Sequence, residues 1–374
     1  MALSLYGRNI FALIIAASLV ACSSSGNKPK PAPLTAFVPL VSAKQVWVNR
    51  VGDGGGLSLS VQGEKVVLAS RSGTLAAVDT LTGADVWRVA LGSRLAAGLG
   101  SDGHLSAVVT EHNELVAVVG GTVVWRQRLP FASFTAPLVA GQRVFVLGAD
   151  RSVTAFDGNS GARLWNQSRA GEVLALRQPG VLAPFGDILL AGLGPRLVAL
   201  NPNTGLVQWD VPLASPKGAN DIERLIDLVG PLERRDNIVC ARAFQGSVGC
   251  VDALRGRIKW TQPADGRWGL SGDERFVFAT ENNGNVVAYQ RETGQKAWSI
   301  SSLAHRDLSA PLVLGRSVVV GDGHGFVHLL SREDGAQMGR LTTDGSPIQS
   351  PPVVAGDTLL VHTQNGNLFA WRPQ

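Results

Sequence analysis

The sequence has few of the residues that build metal, redox or nucleotide centres. It contains 3 cysteines, 2 methionines and 6 histidines among 374 residues. No Cys-Cys pair and no second Cys or His pair at ligand spacing is present, which argues against a metal site. A Gly-x-x-x-x-Gly-Lys phosphate loop is also missing, and the glycine-rich segment 52–56 has neither its lysine nor a following helix. His324 and His328 lie four residues apart without the glutamate of a His-Glu-x-x-His motif. The sequence therefore predicts that the protein is not an enzyme, and that it uses no cofactor and no metal.

Charge is scarce and evenly mixed. Charged residues make up 17% of the chain, and the formal net charge is +5. Arg8 is the only charged residue in the first 21, so the remainder carries +4. A charge this small, spread over a long chain, does not indicate a nucleic-acid partner.

After the first 21 residues, no apolar run is long enough to cross a membrane. Ile10 to Val20 follow Arg8 as an apolar run shorter than the roughly 20 residues that a spanning helix needs. The run ends in Leu19-Val20-Ala21-Cys22, which resembles the lipobox of bacterial lipoproteins. That resemblance implies a signal peptide over 1–21 and a lipid on Cys22, and Ser23 in place of aspartate favours the outer membrane. An ordinary signal peptide with an incidental cysteine is the alternative.

The segment after Cys22 has no hydrophobic pattern. Residues 23–36 read SSSGNKPKPAPLTA and are rich in serine and proline. We therefore expect 22–43 to be a lipidated cysteine with a flexible tether, and 44–374 to be a folded domain held near a membrane by its lipid alone.

What the sequence does contain is a repeat of about forty residues. Six glycines are each followed four residues later by tryptophan: Gly83/Trp87, Gly121/Trp125, Gly161/Trp165, Gly205/Trp209, Gly256/Trp260 and Gly294/Trp298. Trp47 stands one period upstream, and Gly335 is followed by Gly339 instead of tryptophan. Between Gly56 and Gly92, four short β-rich runs alternate with glycine turns, which is typical of a four-stranded antiparallel meander.

The third turn of each unit has recurring chemistry. It begins with aspartate or asparagine and ends with glycine at Asp79/Gly83, Asp157/Gly161, Asn201/Gly205 and Asp252/Gly256. The first residue can accept hydrogen bonds from its own turn, and the glycine allows a positive φ. We interpret these residues as structural, with each tryptophan packing against the neighbouring unit.

The two ends of the repeat array complement each other. The chain ends with three strand-like runs and no fourth, whereas residues 45–51 are a fourth strand with no first three. Joined, they complete an eighth unit and remove the open sheet edges. The sequence therefore predicts an all-β fold, an eight-bladed β-propeller of four-stranded antiparallel blades closed by its N-terminal strand.

The blade pattern, here Gly73-Thr-Leu-Ala-Ala-Val-Asp79 followed by Thr82-Gly83-Ala-Asp-Val-Trp87, resembles the quinoprotein-like propellers. Within that class, residues 173–177 (VLALR) and 221–227 (DIERLID) look like the two signature loops of the BamB family of outer-membrane lipoproteins. The segment 318–328, the length and the lipobox are also similar to that family. The resemblance covers nearly all of the chain after residue 21.

This resemblance implies a non-enzymatic scaffold of the β-barrel assembly machinery, facing the periplasm. Its expected partners are the POTRA domains of BamA, the rest of the BAM complex and, as a further possibility, nascent outer membrane proteins. Carried over by motif, the expected contact residues are Leu174, Leu176, Arg177, Arg224 and Asp227. The family's second loop usually continues Asp-Val-Asp, whereas here Val229 takes the last acidic position.

Apart from the resemblance, the sequence gives weaker evidence that these loops bind a partner. The longest interval between repeats, from Trp209 to Trp260, contains a charged insertion over 214–235. Long inserts in repeat proteins lie in loops on one face and often bind partners. A solvated loop without a role is the alternative.

Two questions stay open at this stage. Cys240 and Cys250 flank the turn-like Phe244-Gln245-Gly246, so they form either a disulfide or two buried thiols. The propeller class also includes pyrroloquinoline-quinone dehydrogenases, and a periplasmic ligand-binding propeller is a further alternative. Members of that dehydrogenase class are typically larger chains, with a calcium site, adjacent cysteines and long loops.

Overall fold

The computed structural model describes residues 29–54, 56–168, 175–216, 220 and 225–374. Contacts group Ala32–Gln374 into one unit. Thirty-two strands lie within the described residues, and they form eight antiparallel four-stranded sheets, here called blades. Within the same ranges there is no helical segment with the length and apolar character that a bilayer-spanning helix requires.

Blades 1 to 4 follow in chain order, each from its inner to its outer strand. Blade 1 contains β2 (Ser60–Gln62), β3 (Lys65–Ala69), β4 (Thr74–Asp79) and β5 (Asp85–Ala90). Blade 2 contains β6 (Gly100–Ser101), β7 (Leu105–Val109), β8 (Glu114–Val119) and β9 (Thr122–Arg128). Blade 3 contains β10 (Leu138–Ala140), β11 (Arg143–Leu147), β12 (Val153–Asp157) and β13 (Arg163–Gln167). Blade 4 contains β14 (Leu182–Phe185), β15 (Ile188–Leu193), β16 (Arg196–Leu200) and β17 (Val207–Pro212).

Blades 5 to 8 complete the series, and blade 8 uses both ends of the chain. Blade 5 contains β18 (Leu228–Arg235), β19 (Ile238–Ala243), β20 (Ser247–Asp252) and β21 (Arg257–Pro263). Blade 6 contains β22 (Ser271–Gly272), β23 (Phe276–Thr280), β24 (Val286–Gln290) and β25 (Lys296–Ile300). Blade 7 contains β26 (Leu312–Leu314), β27 (Ser317–Gly321), β28 (Phe326–Ser331) and β29 (Gln337–Thr342). Blade 8 contains β30 (Val353–Ala355), β31 (Thr358–His362), β32 (Asn367–Pro373) and β1 (Ala43–Arg50).

Blade 8 confirms the predicted closure. β1 pairs with β32 in antiparallel register, with Trp47 opposite Ala370 and Asn49 opposite Leu368. β1 is the outermost strand of the order β1-β32-β31-β30. The pairing begins at Ala43, one residue before the predicted start of the folded domain.

The hydrophobic core is a ring of clusters, one at each joint between blades. At the joint between blades 8 and 1, for example, Val66 and Val78 pack with Leu360 and Leu368. Equivalent clusters of buried residues fill the other seven joints of the described chain. Because every blade contributes both of its faces to this core, most residues of its two middle strands are buried. The sheets therefore form a closed eight-bladed β-propeller.

Tryptophan and glycine build seven of these joints. The indole Nε1–H of Trp47 donates a hydrogen bond to the Thr80 carbonyl of blade 1 (3.1 Å), and five further tryptophans make the same bond to the next blade. The ring lies on the turn glycine: a Cβ on Gly83 would stand 2.5 Å from Trp47. Gly83 also has φ +76°, so two independent constraints require glycine there.

The turn that holds this glycine is built as the sequence predicts. In blade 1, a side-chain oxygen of Asp79 accepts hydrogen bonds from the backbone N–H groups of Leu81 (3.1 Å) and Thr82 (2.8 Å) and from the Thr82 hydroxyl (2.8 Å). These hydrogen bonds, led by that of the Thr82 hydroxyl, lower the pKa of Asp79. The aspartate therefore serves the turn.

The joint between blades 7 and 8 differs, which explains the missing tryptophan. In blade 8 no turn connects the third strand, β32, to the fourth strand, β1, because β1 precedes all the other strands in sequence and β32 follows them. A tryptophan at position 339 would therefore have no glycine turn to dock on. A Cβ on Gly339 would stand 2.8 Å from the Val41 carbonyl. Leu329 occupies the position opposite Gly339, where six other blades have alanine. Val41 and Trp371 pack into this joint instead.

Residues 32–42, here called the strap, differ from the flexible tether predicted for them. Three arginines donate hydrogen bonds to strap carbonyls: Arg306 to Ala32 (3.0 Å), Arg340 to Thr35 (3.3 Å) and Arg316 to Leu40 (2.8 Å). The N–H groups of Leu40 and Val41 donate to the Met338 carbonyl at the outer edge of β29. Leu34 packs on the cluster between blades 6 and 7, and Phe37 stacks under Arg340. The strap thus runs across the outside of blade 7 before it enters β1.

The cysteine question has a definite answer in the structure. Cys240 in β19 and Cys250 in β20 are directly paired residues of neighbouring strands and form a disulfide. The predicted turn at 244–246 joins the two strands. Cys250 lies opposite Trp260, so the disulfide is part of the buried core of blade 5.

Candidate partner-binding surface

One face of the propeller carries every described part of the predicted loops. In an antiparallel blade, the connection from the fourth strand to the next blade leaves from the same side as the turn between the second and third strands. We call this side the connector face. Residues 175–181 belong to the connector between blades 3 and 4, and residues 225–227 to the connector between blades 4 and 5. The two predicted loops are therefore consecutive connectors on the same face of the propeller.

Of the five predicted partner contacts and the predicted lipidation site, three residues can be placed and three cannot. Leu176, Arg177 and Asp227 lie on the connector face. Leu174, Arg224 and the proposed lipidation site Cys22 lie outside the described residues.

Asp227 links the two loops directly. One carboxylate oxygen accepts a hydrogen bond from the backbone N–H of Leu176 (2.8 Å), and the other accepts one from the Arg151 guanidinium (3.3 Å). The side chains of Arg151 and Asp227 are 15% and 16% exposed, so water only partly screens this pair. We call Asp227, Arg151 and the Leu176 backbone the loop lock.

Backbone hydrogen bonds and the packing of Arg151 hold the loop lock in place. The Asp227 carbonyl accepts from the Phe244 N–H (3.0 Å), and the Leu228 N–H donates to the Gly194 carbonyl (2.9 Å). Arg151 lies at φ +61° in the turn between β11 and β12, and its guanidinium packs against Gly194. Three adjacent blades, 3, 4 and 5, therefore fix the position of one carboxylate.

Arg177 presents an exposed cation beside the lock. Its guanidinium stacks over the ring of Phe134 at 5.1 Å from the centroid. Such a cation–π contact restrains the side chain while leaving the outer guanidinium face available. A planar group held in this way can accept a carboxylate or a backbone carbonyl from a partner.

Next to these residues lies an apolar groove between blades 4 and 5. Its volume is about 640 Å³. Its apolar lining comes from both predicted loops and from the two blades: Leu176, Leu213, Leu225, Ile226, Phe244 and Ile258. Gln245, Ser247, Thr261 and Gln262 supply polar edges. We call this cavity the lateral groove.

Val229, at the usually acidic position, is buried. It is 1% exposed, and Gly180 forms an isolated bridge with it. A carboxylate at this position in this chain would be buried. In this chain position 229 therefore contributes no polar side chain to the connector face.

Sequence reasoning missed Arg151 and Phe134, which complete the surface. Arg151 is 76 residues from Asp227 and lies in an ordinary turn of blade 3, so its sequence neighbourhood contains no signal. Phe134 lies in the connector between blades 2 and 3. Only the folded arrangement of the blades brings either residue next to the loops.

The histidines of segment 318–328 do not form a site together. His324 is exposed in a turn, whereas His328 is buried beside Asp322 in blade 7. Burial alone would raise the pKa of Asp322, but hydrogen bonds from His328 (3.1 Å) and the Phe326 N–H (2.9 Å) outweigh it and lower the pKa to about 2. Arg306 adds a further bond at 2.7 Å. In the described ranges, no three His, Cys, Asp or Glu side chains lie close enough to hold a metal ion.

A family model, a relative in sequence and a solved structure all indicate the same family. A family model described as outer membrane protein assembly factor BamB matches residues 71–300. The outer membrane protein assembly factor BamB of Burkholderia pseudomallei is 40% identical over 360 residues, which cover 95% of this chain and 94% of that protein. The crystal structure of BamB from Moraxella catarrhalis has 25% identity and a TM-score of 0.81, covering 88% of this chain and 100% of that one.

The propeller architecture is shared more widely. The quinohemoprotein alcohol dehydrogenase of Comamonas testosteroni superposes with a TM-score of 0.65 at 13% identity, over 88% of this chain and 76% of that one. At this identity the likeness concerns the fold alone.

Proposed function

This chain belongs to the BamB family of outer membrane protein assembly factors, and from that premise we propose that it is a non-enzymatic, lipid-anchored scaffold that binds the POTRA domains of BamA through its connector face. We place it at the outer membrane, facing the periplasm, with the lipid on Cys22. The observation that carries the proposal is the loop lock, because it joins both family loops into one surface.

The loop lock favours binding by holding the surface in place before a partner arrives. An interface that is ordered in advance loses less conformational entropy on association. The N–H of Leu176 is tied to Asp227, and Ile226 is buried beside it. The partner therefore meets a fixed arrangement of Leu176, Arg177 and the lateral groove.

The surface has the composition of an interface centre. Arg177 supplies a stacked guanidinium, and the lateral groove supplies apolar side chains that a partner residue can cover. Buried apolar contacts around one or two arginine or aromatic anchors carry most of the energy in many interfaces. In this chain the anchor is Arg177 and the apolar floor is Leu176, Ile226 and Phe244.

We infer a mechanism of tethering and positioning. A closed ring of sheets is rigid, so a POTRA domain bound to its connector face is held in one orientation. The propeller would then orient the partner while nascent outer membrane proteins are assembled. No bond in a substrate is made or broken in this mechanism.

The test is a pull-down of the cognate BamA POTRA domains by the mature protein and its charge-reversal variants. We expect Arg177→Glu to abolish capture and Asp227→Arg to do the same, the latter by opening the loop lock. Arg234→Glu is the matched control: Arg234 also stacks on a phenylalanine ring (Phe185, 4.5 Å), and it lies near the end of β18 towards the opposite face.

The controls make the outcome decisive. Each variant is checked for an unchanged β-sheet circular dichroism spectrum before it is used. Capture by Arg177→Glu and Asp227→Arg at the level of the unaltered protein would remove the site assignment. Loss of capture in Arg234→Glu alone would move the site to the opposite face.

A further inference from the structure

The strap changes the face from which the N-terminal part of the chain leaves the propeller. β1 is the fourth strand of blade 8, and a fourth strand ends on the connector face, where it continues into the next blade. β1 therefore begins, at Ala43 opposite Pro373, on the opposite face of the propeller. Without the strap, the segment that precedes β1 would leave the domain from that opposite face.

The strap returns the chain to the connector face along the outside of blade 7. Near its end, the Leu40 N–H donates to the carbonyl of Met338, close to the start of β29 on the opposite face (2.8 Å). Its first residue, Ala32, donates from its N–H to the Ala304 carbonyl (2.8 Å). Ala304 lies in the connector between blades 6 and 7. The strap thus runs antiparallel to β29, from the connector face to the opposite face.

The first residue of the strap is held on the connector face by several contacts. Besides the hydrogen bond to Ala304, the Ala32 carbonyl accepts one from the Arg306 guanidinium (3.0 Å). Arg306 is itself fixed, because it is buried and bonded to Asp322 at 2.7 Å. Leu34 packs on the hydrophobic cluster between blades 6 and 7. The point from which the preceding chain leaves the domain is therefore the connector face at blades 6 and 7.

The strap also shortens the tether. Cys22 is ten residues from Ala32 and 21 residues from Ala43. At roughly 3.5 Å per extended residue, the greatest reach of the tether falls from about 70 Å to about 35 Å. A flexible chain of ten residues has a mean end-to-end distance of only about 17 Å. That distance is no longer than one blade is high, since a strand of six residues measures about 20 Å.

We propose that the strap orients the propeller at a phospholipid bilayer, with the connector face at blades 6 and 7 turned towards the lipid surface. A tether rooted on one face, and no longer than a blade is high, keeps that face nearer the membrane than the other. This inference rests on the lipid anchor proposed for Cys22 and goes beyond it, because an anchor alone does not select a face. The candidate partner-binding surface lies on the same face and is therefore also presented to the membrane.

The experiment measures how far each face lies from a bilayer. The mature protein is coupled through Cys22 to a maleimide phospholipid in phosphatidylcholine–phosphatidylglycerol vesicles, while Cys240 and Cys250 stay in their disulfide. A fluorescent donor on a non-natural amino acid replaces either His324 or Glu333, both of which are exposed in blade 7. His324 lies in the turn between β27 and β28 on the connector face, and Glu333 in the turn between β28 and β29 on the opposite face. Energy transfer to headgroup-labelled lipids gives the distance.

The unaltered protein should show a clear order of distances. We expect the donor at position 324 to lie nearer the bilayer than the donor at position 333 by about 20 Å, the length of a six-residue strand. Equal distances for the two donors would mean that the propeller tumbles freely on its tether. A donor at position 333 that lies nearer the bilayer would mean that the opposite face is turned to the membrane. Either result overturns the proposal.

A deletion of the strap separates the place of the root from the length of the tether. Removing residues 32–42 joins Pro31 to Ala43, so the tether keeps its ten residues but is rooted on the opposite face. We expect the order of distances to reverse, with position 333 nearer the bilayer. The matched control keeps the strap and inserts eleven Gly/Ser residues between Lys30 and Pro31, which gives the longer tether with the original root. Position 324 should then still be nearer.

The remaining outcomes keep this proposal separate from the proposed function. Circular dichroism and thermal melts first establish that each protein is folded. An unchanged order in the deletion variant overturns the proposal, and so does a reversed order in the insertion control. Because the lipid is attached chemically, the distances do not depend on capture of the POTRA domains. Capture in solution should be unchanged by the deletion, since the strap lies on blade 7 and the loop lock on blades 3 to 5. Failed capture by the unaltered protein, with the expected distances, would count against the partner surface alone.

Discussion

Within the described ring, seven joints between blades are built in one way and the eighth in another. At seven joints, a tryptophan of one blade lies on the turn glycine of the next, as Trp47 lies on Gly83. At the joint between blades 7 and 8, Gly339 stands in place of the tryptophan, and the strap and Trp371 fill the space. A tryptophan joint therefore requires a glycine turn between the third and fourth strands of the next blade. Blade 8 has no such turn, and the strap and Trp371 pack the joint in its place.

Removing β1 should have the largest effect, because it opens the ring. A chain that begins at Val51 loses the outer strand of blade 8 and the Trp47 contact with blade 1. We expect it to form aggregates through the open edge of β32 and to lose cooperative thermal unfolding. A chain that begins at Ala43 keeps β1 and loses only the strap, so it should stay monomeric with a lower melting temperature. Equal behaviour of the two chains in size-exclusion chromatography and thermal melts would contradict this account of the closure.

Loss of the buried strap anchor should come next. Arg306 is 6% exposed and binds both Asp322 and the Ala32 carbonyl. Removing one partner of a buried ion pair costs about 3 to 5 kcal/mol, so we expect Arg306→Ala to lower the free energy of unfolding by that amount. Arg340→Ala, which removes a hydrogen bond and a ring contact of a more exposed side chain but no ion pair, should cost about 1 kcal/mol. Chemical denaturation of the two variants measures both, and equal costs would show that the Asp322 pair is not important.

Substitution of one glycine in each kind of joint tests how tightly the two kinds are packed. Gly83→Ala places a Cβ 2.5 Å from Trp47 on a residue with φ +76°, and we expect a cost of about 2 to 4 kcal/mol. In Gly339→Ala the new Cβ has one close contact, the Val41 carbonyl at 2.8 Å, and Gly339 has no positive φ, so about 1 kcal/mol is expected. Chemical denaturation measures both, and a larger cost at position 339 would mean that the seam is packed more tightly than the tryptophan joints.

The strap anchor should also make the stability of the protein depend on pH. The pKa of Asp322 is lowered from 3.8 to about 2 in the folded protein. A carboxyl group with a depressed folded pKa stabilises the protein fully above its unfolded pKa, and this contribution is lost as the pH falls from about 4 to about 2. The free energy of unfolding should therefore fall more steeply in this window for the unaltered protein than for Asp322→Asn. Parallel slopes for the two proteins would contradict the assignment.

The ring itself could be predicted from sequence because its signals are local and repeated. The Gly/Trp spacing fixes the number of blades, and the unmatched strand at 45–51 identifies the closure. The exception at Gly339 was visible but could not be explained, since its cause is the absence of a turn between β32 and β1. The Cys240–Cys250 pairing was foreseeable as a possibility because both residues flank one hairpin.

The strap and the loop lock could not be predicted, because their contacts join residues far apart in sequence. Residues 32–42 have the proline-rich composition of a tether, yet Arg306 and Arg340 bind their carbonyls across 274 and 305 positions. Asp227 was expected as a contact for a partner. That contact stays a prediction. The structure shows that the Asp227 carboxylate accepts hydrogen bonds from the Leu176 N–H and from Arg151, so we also assign it a positioning role in the proposed surface.

Hydrogen–deuterium exchange of the mature protein, with and without the cognate POTRA domains, tests the central claim most directly. We predict that the backbone amides at 175–181, 225–228 and 244–247 become protected when the POTRA domains bind. The turns of the opposite face, at 81–84, 203–206 and 254–256, should exchange as before. Protection of the opposite face or of the outer strands, with the connector face unchanged, would contradict the account.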